Sequence, residues 1–273
     1  MDYWKFTCHD FEDAGLMVAF LSQYPFDSFE ESATEVSAYL PIKEDVTGIE
    51  IQLELLKTSW HFRFDKQLIP FQNWNKKWEE NFTPIVVDDF CCIRADFHET
   101  PVKVEHELVI NPKMAFGTGH HETTRLVIKS MRNINFKNKK VLDYGCGTGI
   151  LAFLAEKLGA TEIDAVEIEQ PAHENAVENA GKNNMKNISI YCGTLIDVPE
   201  KTYDIILANI NRNVILDSLS ALKVRIANNG LLLLSGFLLE DIPMMKDKLE
   251  QKNFEVINQS NEQNWVCLTV KNA

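Results

Sequence analysis

The run Val141-Leu142-Asp143-Tyr144-Gly145-Cys146-Gly147-Thr148-Gly149 decides how this chain is read. A short apolar strand runs into a glycine-rich turn, and a helix is predicted at once behind it. Ile150, Leu151, Phe153, Leu154 and Leu158 supply its apolar positions, and Gly159 its stop. Glycines at 145, 147 and 149 predict backbone that a ligand approaches where a Cβ would clash. The helix N-terminus is expected to add free N–H groups.

Strand, glycine turn and helix also describe the dinucleotide fingerprint GxGxxG, so spacing decides. Here the third glycine comes one residue early and Ile150 holds its place, which disfavours a nicotinamide-dependent oxidoreductase. The pattern GxGxG, preceded by Asp143, resembles motif I of the class I methyltransferases that use S-adenosylmethionine. The run Ile163-Asp164-Ala165-Val166-Glu167 reads as a second strand ending in an acid. A carboxylate there can accept hydrogen bonds from both hydroxyls of a ribose.

At 273 residues the chain exceeds the usual single domain, so two are expected. Hydrophobic content of 45% and charged content of 25% are those of a globular protein. No apolar run approaches the ~20 residues of a membrane span, and no signal peptide is read at the N-terminus; a cytoplasmic location is the expectation. Six cysteines, at 8, 91, 92, 146, 192 and 267, form no CxxC pair and read as reduced thiols. Cys146 is taken as a small residue fitting the glycine loop. The net charge is −13, and residues 1–65 carry 13 acids against four bases. That segment suits a basic partner, and direct nucleic-acid binding is disfavoured.

Residues 1–66 are predicted to fold as β-α-β-β-α-β, the order of a ferredoxin-like sandwich. Asp10 is the expected cap of the first helix, with Leu16, Val18, Ala19, Phe20 and Leu21 as core candidates. Strands are expected near 26–31, 37–40 and 60–64, and a second helix between 41 and 56. Residues 67–84 read as a linker helix with Trp74, Trp78 and Phe82 on one face. From residue 85 to 273 lies the larger domain, opening with strands at 85–96 and 102–110. A glycine-bearing loop, Ala115-Phe116-Gly117-Thr118-Gly119-His120-His121, precedes a helix at 123–131. His121-Glu122-Thr123-Thr124-Arg125 is not HExxH, and Gly117-Thr118-Gly119 is not a P-loop, so no metal site is expected. Thereafter strands and helices alternate as in a doubly wound parallel sheet, closed by an antiparallel hairpin at 254–259 and 265–270. Pro171 opens a helix whose apolar positions are Ala172, Ala176, Val177 and Ala180.

The stretch 114–124 and the Trp74, Trp78 and Asn81-Phe82-Thr83-Pro84 segment resemble the ribosomal protein L11 methyltransferase family. The likeness covers residues 71–273. It implies methyl transfer from S-adenosylmethionine to lysine ε-amines and the α-amine of ribosomal protein L11, with a mobile N-terminal domain holding the substrate; separately, a monomer is expected. Carried over by position, cofactor contacts fall on Thr124, Gly145, Glu167 and Asn209. Phe116 and Gly147 belong to the same cradle, the first as a closing side chain. The family has Asp where this chain has Glu167, so the ribose contact is expected to shift or to be shared with Glu169. Asn209-Ile210 departs from the Asn-Pro-Pro-Tyr of enzymes acting on adenine or glutamine amides. No general base is assigned; His120 and His121 are candidates, with loop packing as the alternative role. An RNA or small-molecule methyltransferase of this fold, and a non-catalytic assembly factor, are the rival readings.

Overall fold

The computed structural model describes residues 2–32, 34–57, 59–69, 83–99, 103–111, 113 and 115–272. The chain divides into two compact units, Met1–Asn81 and Phe82–Ala273. Of the linker helix expected at 67–84, residues 70–82, with Trp74 and Trp78, lie outside the described residues, and residues 67–69 are strand rather than helix.

In the first unit the order is β1 (Tyr3–His9), α1 (Ala14–Leu21), β2 (Ser28–Glu31), β3 (Glu35–Pro41), α2 (Val46–Leu56) and β4 (Arg63–Ile69). The sheet is antiparallel in the order β2-β3-β1-β4. Asp13, not Asp10, caps α1: its Oδ1 accepts the Leu16 N–H at 2.9 Å. Asp10 has φ of 60° and pairs instead with Arg63. The core register shifts accordingly. Met17, Phe20 and Leu21 are buried at helical spacing, whereas Leu16 is 62% exposed. The strand expected at 60–64 begins only at Arg63, because Trp60 stacks on Phe20 at 4.5 Å.

The second unit opens with a small three-stranded sheet. The strand expected at 85–96 is a hairpin, β5 (Ile85–Val87) and β6 (Cys91–Arg94), turned at Asp88 with φ of 51°. β7 (His106–Val109) runs parallel to β6. Then follow α3 (Glu122–Met131), β8 (Lys140–Tyr144), α4 (Ile150–Lys157), β9 (Glu162–Glu167), α5 (Gln170–Lys182) and β10 (Ile188–Cys192). β11 (Tyr203–Asn209), α6 (Arg212–Arg225), β12 (Ile226–Leu238), α7 (Ile242–Glu250), β13 (Phe254–Glu262) and β14 (Trp265–Asn272) complete the fold.

The large sheet has the order β10-β9-β8-β11-β12-β14-β13, with β14 running opposite to the other six strands. Its central strands are mainly apolar because both faces are covered, with Asp143 and Asp164 buried among the apolar residues. Val141, Ile163, Ile205, Leu207 and Leu233 pack into the core on one face. Leu142, Val166, Ile206, Ala208, Leu232 and Leu234 pack into the core on the other. Strand order reverses between β8 and β11, and open α/β sheets bind ligands at the carboxyl ends of strands flanking such a switch point. No helix among the described residues is long and apolar enough to cross a membrane.

Candidate functional site

A cleft of about 440 Å³ opens at that switch point. Tyr144 ends β8 and Gly145 and Gly147 follow it, Glu167 ends β9 and Ile168 follows, Gly193 and Thr194 follow β10, and Asn209 ends β11 and Ile210 follows. Phe116, His121 and Trp265 form an aromatic wall, with ring centroids 5.4 Å apart for the first pair and 4.7 Å for the second. A second hollow of about 320 Å³ shares Phe116, Gly147 and Glu167 with the first and adds Glu169. Phe116 is 53% exposed between the two.

The glycine loop has a different construction from the one its sequence suggests. Gly145, Gly147 and Gly149 all have positive φ, at 74°, 53° and 85°. The spaces where their Cβ atoms would stand are filled by protein. A Cβ on Gly145 would lie 2.2 Å from Ile210 Cγ2, and one on Gly147 2.2 Å from the Phe116 carbonyl oxygen. One on Gly149 would lie 2.3 Å from the Phe153 ring. The glycines thus let the loop pack against its own neighbours, above all the 116–117 segment.

The loop N–H groups are also engaged. Those of Gly145 and Cys146 both reach the Val166 carbonyl, at 2.9 and 3.0 Å. Gly147 N–H donates to Glu167 Oε2 at 2.9 Å, and Thr148 N–H to Phe116 O at 2.9 Å. Asp143 Oδ2 accepts the N–H of Ala152 in the first turn of α4, at 3.0 Å. The free N–H groups expected at this helix end are therefore reduced by the chain's own carboxylate. A pyrophosphate, which dinucleotide folds place at this helix end, would meet a buried acid here. A ligand bearing cations would meet two, Asp143 and Glu167. Burial pushes the Asp143 carboxyl up to about 7; the Ala152 N–H pulls the other way, and the Glu167 charge raises it further.

Each sequence-expected residue has a definite place. Gly145, Gly147, Glu167, Asn209 and Phe116 line the cleft. Glu167 is held by two backbone donors, Gly147 N–H on one oxygen and Glu169 N–H on the other at 3.0 Å. Thr124 is fully buried and does not line the cleft; its hydroxyl accepts the Asn209 amide N–H at 3.3 Å. This leaves Asn209 Oδ1 buried with no hydrogen-bond partner. His121 lines the cleft, but its Nδ1 accepts the Thr123 N–H at 3.3 Å and so caps α3. A ring nitrogen so used is not available to take a substrate proton. His120 is exposed and does not line the cleft. Cys146 is buried, and burial pushes its thiol up, so it is no nucleophile. Among the described residues no group of three His, Cys, Asp or Glu is arranged to hold a metal.

Trp265 was legible only as the first residue of a strand. It reaches the cleft because β14 runs antiparallel, which brings its start to the carboxyl edge. Arg125, where a zinc protease would have histidine, ties α3 to the closing hairpin through Glu262, with Nε 2.8 Å from Oε1.

A family model described as ribosomal protein L11 methyltransferase (PrmA) matches residues 13–273. The chain belongs to that family. The ribosomal protein L11 methyltransferase of Porphyromonas gingivalis is 41% identical over 261 residues, covering 93% of this chain and 89% of the relative. That of Phocaeicola vulgatus is 37% identical over 259 residues, covering 94% and 86%. The crystal structure of the ribosomal protein L11 methylase of Lactobacillus delbrueckii subsp. bulgaricus superposes with a TM-score of 0.64 at 26% identity, covering 69% of this chain and 98% of that one. A methyltransferase from Pyrococcus furiosus, at 18% identity and a TM-score of 0.50, shares the fold. The chain is an S-adenosylmethionine-dependent methyltransferase of class I architecture.

Proposed function

We propose that this enzyme transfers methyl groups to lysine ε-amines and to the N-terminal α-amine of ribosomal protein L11. The observation that carries the reading is a cleft at the switch point holding one buried, unpartnered acceptor, Asn209 Oδ1, in a chain of this family. A buried carbonyl oxygen without a donor costs free energy until a ligand supplies one.

The residues fit S-adenosylmethionine. Glu167 still has acceptor capacity for ribose hydroxyls, since each carboxylate oxygen has taken only one backbone N–H. Gly145 and Gly147 present bare backbone beside it, and Glu169 lines the adjoining hollow together with Glu167. Thr124 acts through Asn209, fixing which way its amide points. When bound, the cofactor supplies a methyl group already activated on a sulfonium. What remains for the protein is alignment and desolvation. Asn209 Oδ1 accepts one N–H of the incoming amine and so aims its lone pair. A lysine amine begins near a pKa of about 10.4 and must be neutral to attack. Phe116, His121 and Trp265 exclude water around it, which favours the neutral form. No side chain is needed to hold the proton during transfer, which agrees with His121 being committed to its cap.

The part of the first unit that ends with β4, residues 1–69, is proposed as the substrate-holding domain, with the chain up to residue 84 as linker and 85–273 as the catalytic part. Its excess of acids would attract a basic protein. Methyl-labelled cofactor, unmethylated L11 and ribosomal RNA incubated with the enzyme test the proposal. The expected result is label in L11 alone, with mass spectrometry placing it on lysines and the first residue. Label confined to RNA, or to no macromolecule, overturns it.

A further inference from the structure

Helix α5 carries Asn175 and Asn179, and Asn183 is its C-cap residue. Four-residue spacing stacks the three on one face. Asparagine is a poor helix former, and a buried amide needs partners. Yet Asn175 and Asn179 are among the most buried polar residues of the chain. Their contacts give the reason. Asn183 takes both backbone groups of Val109: Oδ1 accepts the N–H at 2.8 Å and Nδ2 donates to the carbonyl at 2.6 Å. Asn179 Oδ1 accepts the Asn111 N–H at 3.0 Å, and Asn175 Nδ2 donates to the Asn111 carbonyl at 2.6 Å. The backbone at 109 and 111 is thus bonded to helix side chains as a strand is bonded to its neighbour.

Asn179 makes a further connection. Its Nδ2 donates to the Thr148 carbonyl, in the glycine loop, at 3.3 Å. Thr148 is gripped from the other side by the Phe116 loop, through its N–H to Phe116 O at 2.9 Å and its hydroxyl to Gly117 O at 2.6 Å. The chain entering the Phe116 loop and the glycine loop are therefore tied to each other through one buried amide. Asn179 itself lines neither hollow of the site.

We propose that Asn179 is a positioning residue for cofactor binding, setting the register between the segment that leads to Phe116 and the loop Gly145–Gly149. The inference rests on the cofactor placement proposed above. Asn179→Asp tests it on the full chain. The variant keeps an acceptor for the Asn111 N–H but turns lone pairs toward the Thr148 and Asn111 carbonyls. At pH 8, calorimetry with S-adenosylhomocysteine should show binding at least about tenfold weaker than wild type, with kcat at saturating cofactor within about threefold. A folded variant whose Kd stays within twofold of wild type at pH 8 overturns the proposal. Should that variant fail to fold, Asn179→Ser removes the reach without adding charge. Tenfold weaker binding then supports the inference, and binding within twofold overturns it. Failure of the wild-type chain to bind S-adenosylhomocysteine would instead reject the cofactor placement.

Discussion

The two ends of the large sheet each hold a cavity, and they differ in how their polar groups are served. The cavity at the amino ends of β8 and β11 is the larger, about 560 Å³ against about 440 Å³ at the carboxyl ends. It is lined by amides and charges, including Asn133, Asn135, Lys139, Asp204, Asn228 and Asn258. Asp204 is nonetheless fully employed: one oxygen faces Lys139 Nζ at 3.3 Å, and the other accepts the Lys140 N–H at 2.9 Å. None of the residues lining this end has a buried side-chain nitrogen or oxygen without a partner. The carboxyl end has two such atoms in or beside the cleft, Asn209 Oδ1 and Asp143 Oδ1. Volume therefore points to the wrong end, and unmet hydrogen-bonding capacity to the right one. Folding leaves buried polar atoms unpaired at a cost, so they mark where a ligand completes the structure.

The strongest way to break this contrast is to disturb the upper loop alone. Gly147→Ala asks a side chain to adopt φ of 53° and to stand 2.2 Å from the Phe116 carbonyl. The left-handed conformation alone costs about 1–2 kcal/mol, and the clash must also displace the 116–117 segment. Methyl transfer should fall by about 100-fold or more, most of it in cofactor affinity. Calorimetry beside a transfer assay checks this, and near-normal binding would mean that the two loops are not one device.

Next in size is a matched pair of substitutions, one at each end. Asn209→Leu keeps bulk and deletes the unpaired acceptor; kcat/KM should drop by about 100-fold, near the loss of one well-placed polar contact. Asp204→Asn, at the lower cavity, should leave transfer within about twofold. Equal effects from the two would dissolve the distinction between the ends.

Asp143 sharpens the comparison through pH. Its folded carboxyl, raised to about 7 from the ordinary 3.8, binds a proton that the unfolded chain has already lost. The native state therefore holds more protons between these values, and stability falls as pH rises through that window. The full cost, reached above the folded pKa, is at most about 4 kcal/mol. Asp143→Asn cannot titrate, so its stability relative to wild type should grow between pH 5 and pH 8. Urea unfolding at both values measures this; parallel behaviour of the two proteins would place the burial cost elsewhere.

Much of this site was legible before the fold was known. GxGxG with a following helix, the second-strand acid and the AFGTG loop placed Gly145, Gly147, Glu167 and Phe116 at the cleft, because local pattern sets a strand end. The purpose of the glycines was not legible. Which atom fills a missing Cβ is a tertiary fact, and Ile210 and Phe116 are 65 and 31 positions away from their glycines. Asp10 misled because three acids, Asp10, Glu12 and Asp13, precede α1, and only backbone geometry says which one caps it. Val177, one of the apolar positions of the helix opened by Pro171, is exposed, whereas Asn175 and Asn179 are buried. The signal was present as asparagines repeating every four residues, but polar periodicity reads as a solvated face unless a bare stretch of backbone is known to lie against it.

That helix also supplies the smallest expected effect. Gly181 lies within α5 with no atom within 4 Å of where its Cβ would stand. Glycine in a helix is less favourable than alanine by about 0.5–1 kcal/mol, through the greater freedom of the unfolded chain. Gly181→Ala should thus stabilise the second unit by up to that amount and raise its melting temperature by about 2 °C. Because the side chain meets nothing, any change in cofactor affinity would have to come through the stiffness of α5 itself. Binding of S-adenosylhomocysteine unchanged within twofold would leave the Asn179 amide, and not helix rigidity, as the link between α5 and the cleft. Tighter binding in step with the higher melting temperature would make the upper end of the sheet sensitive to the whole helix, and its contrast with the fully paired lower end would then be one of rigidity as well as of hydrogen bonding.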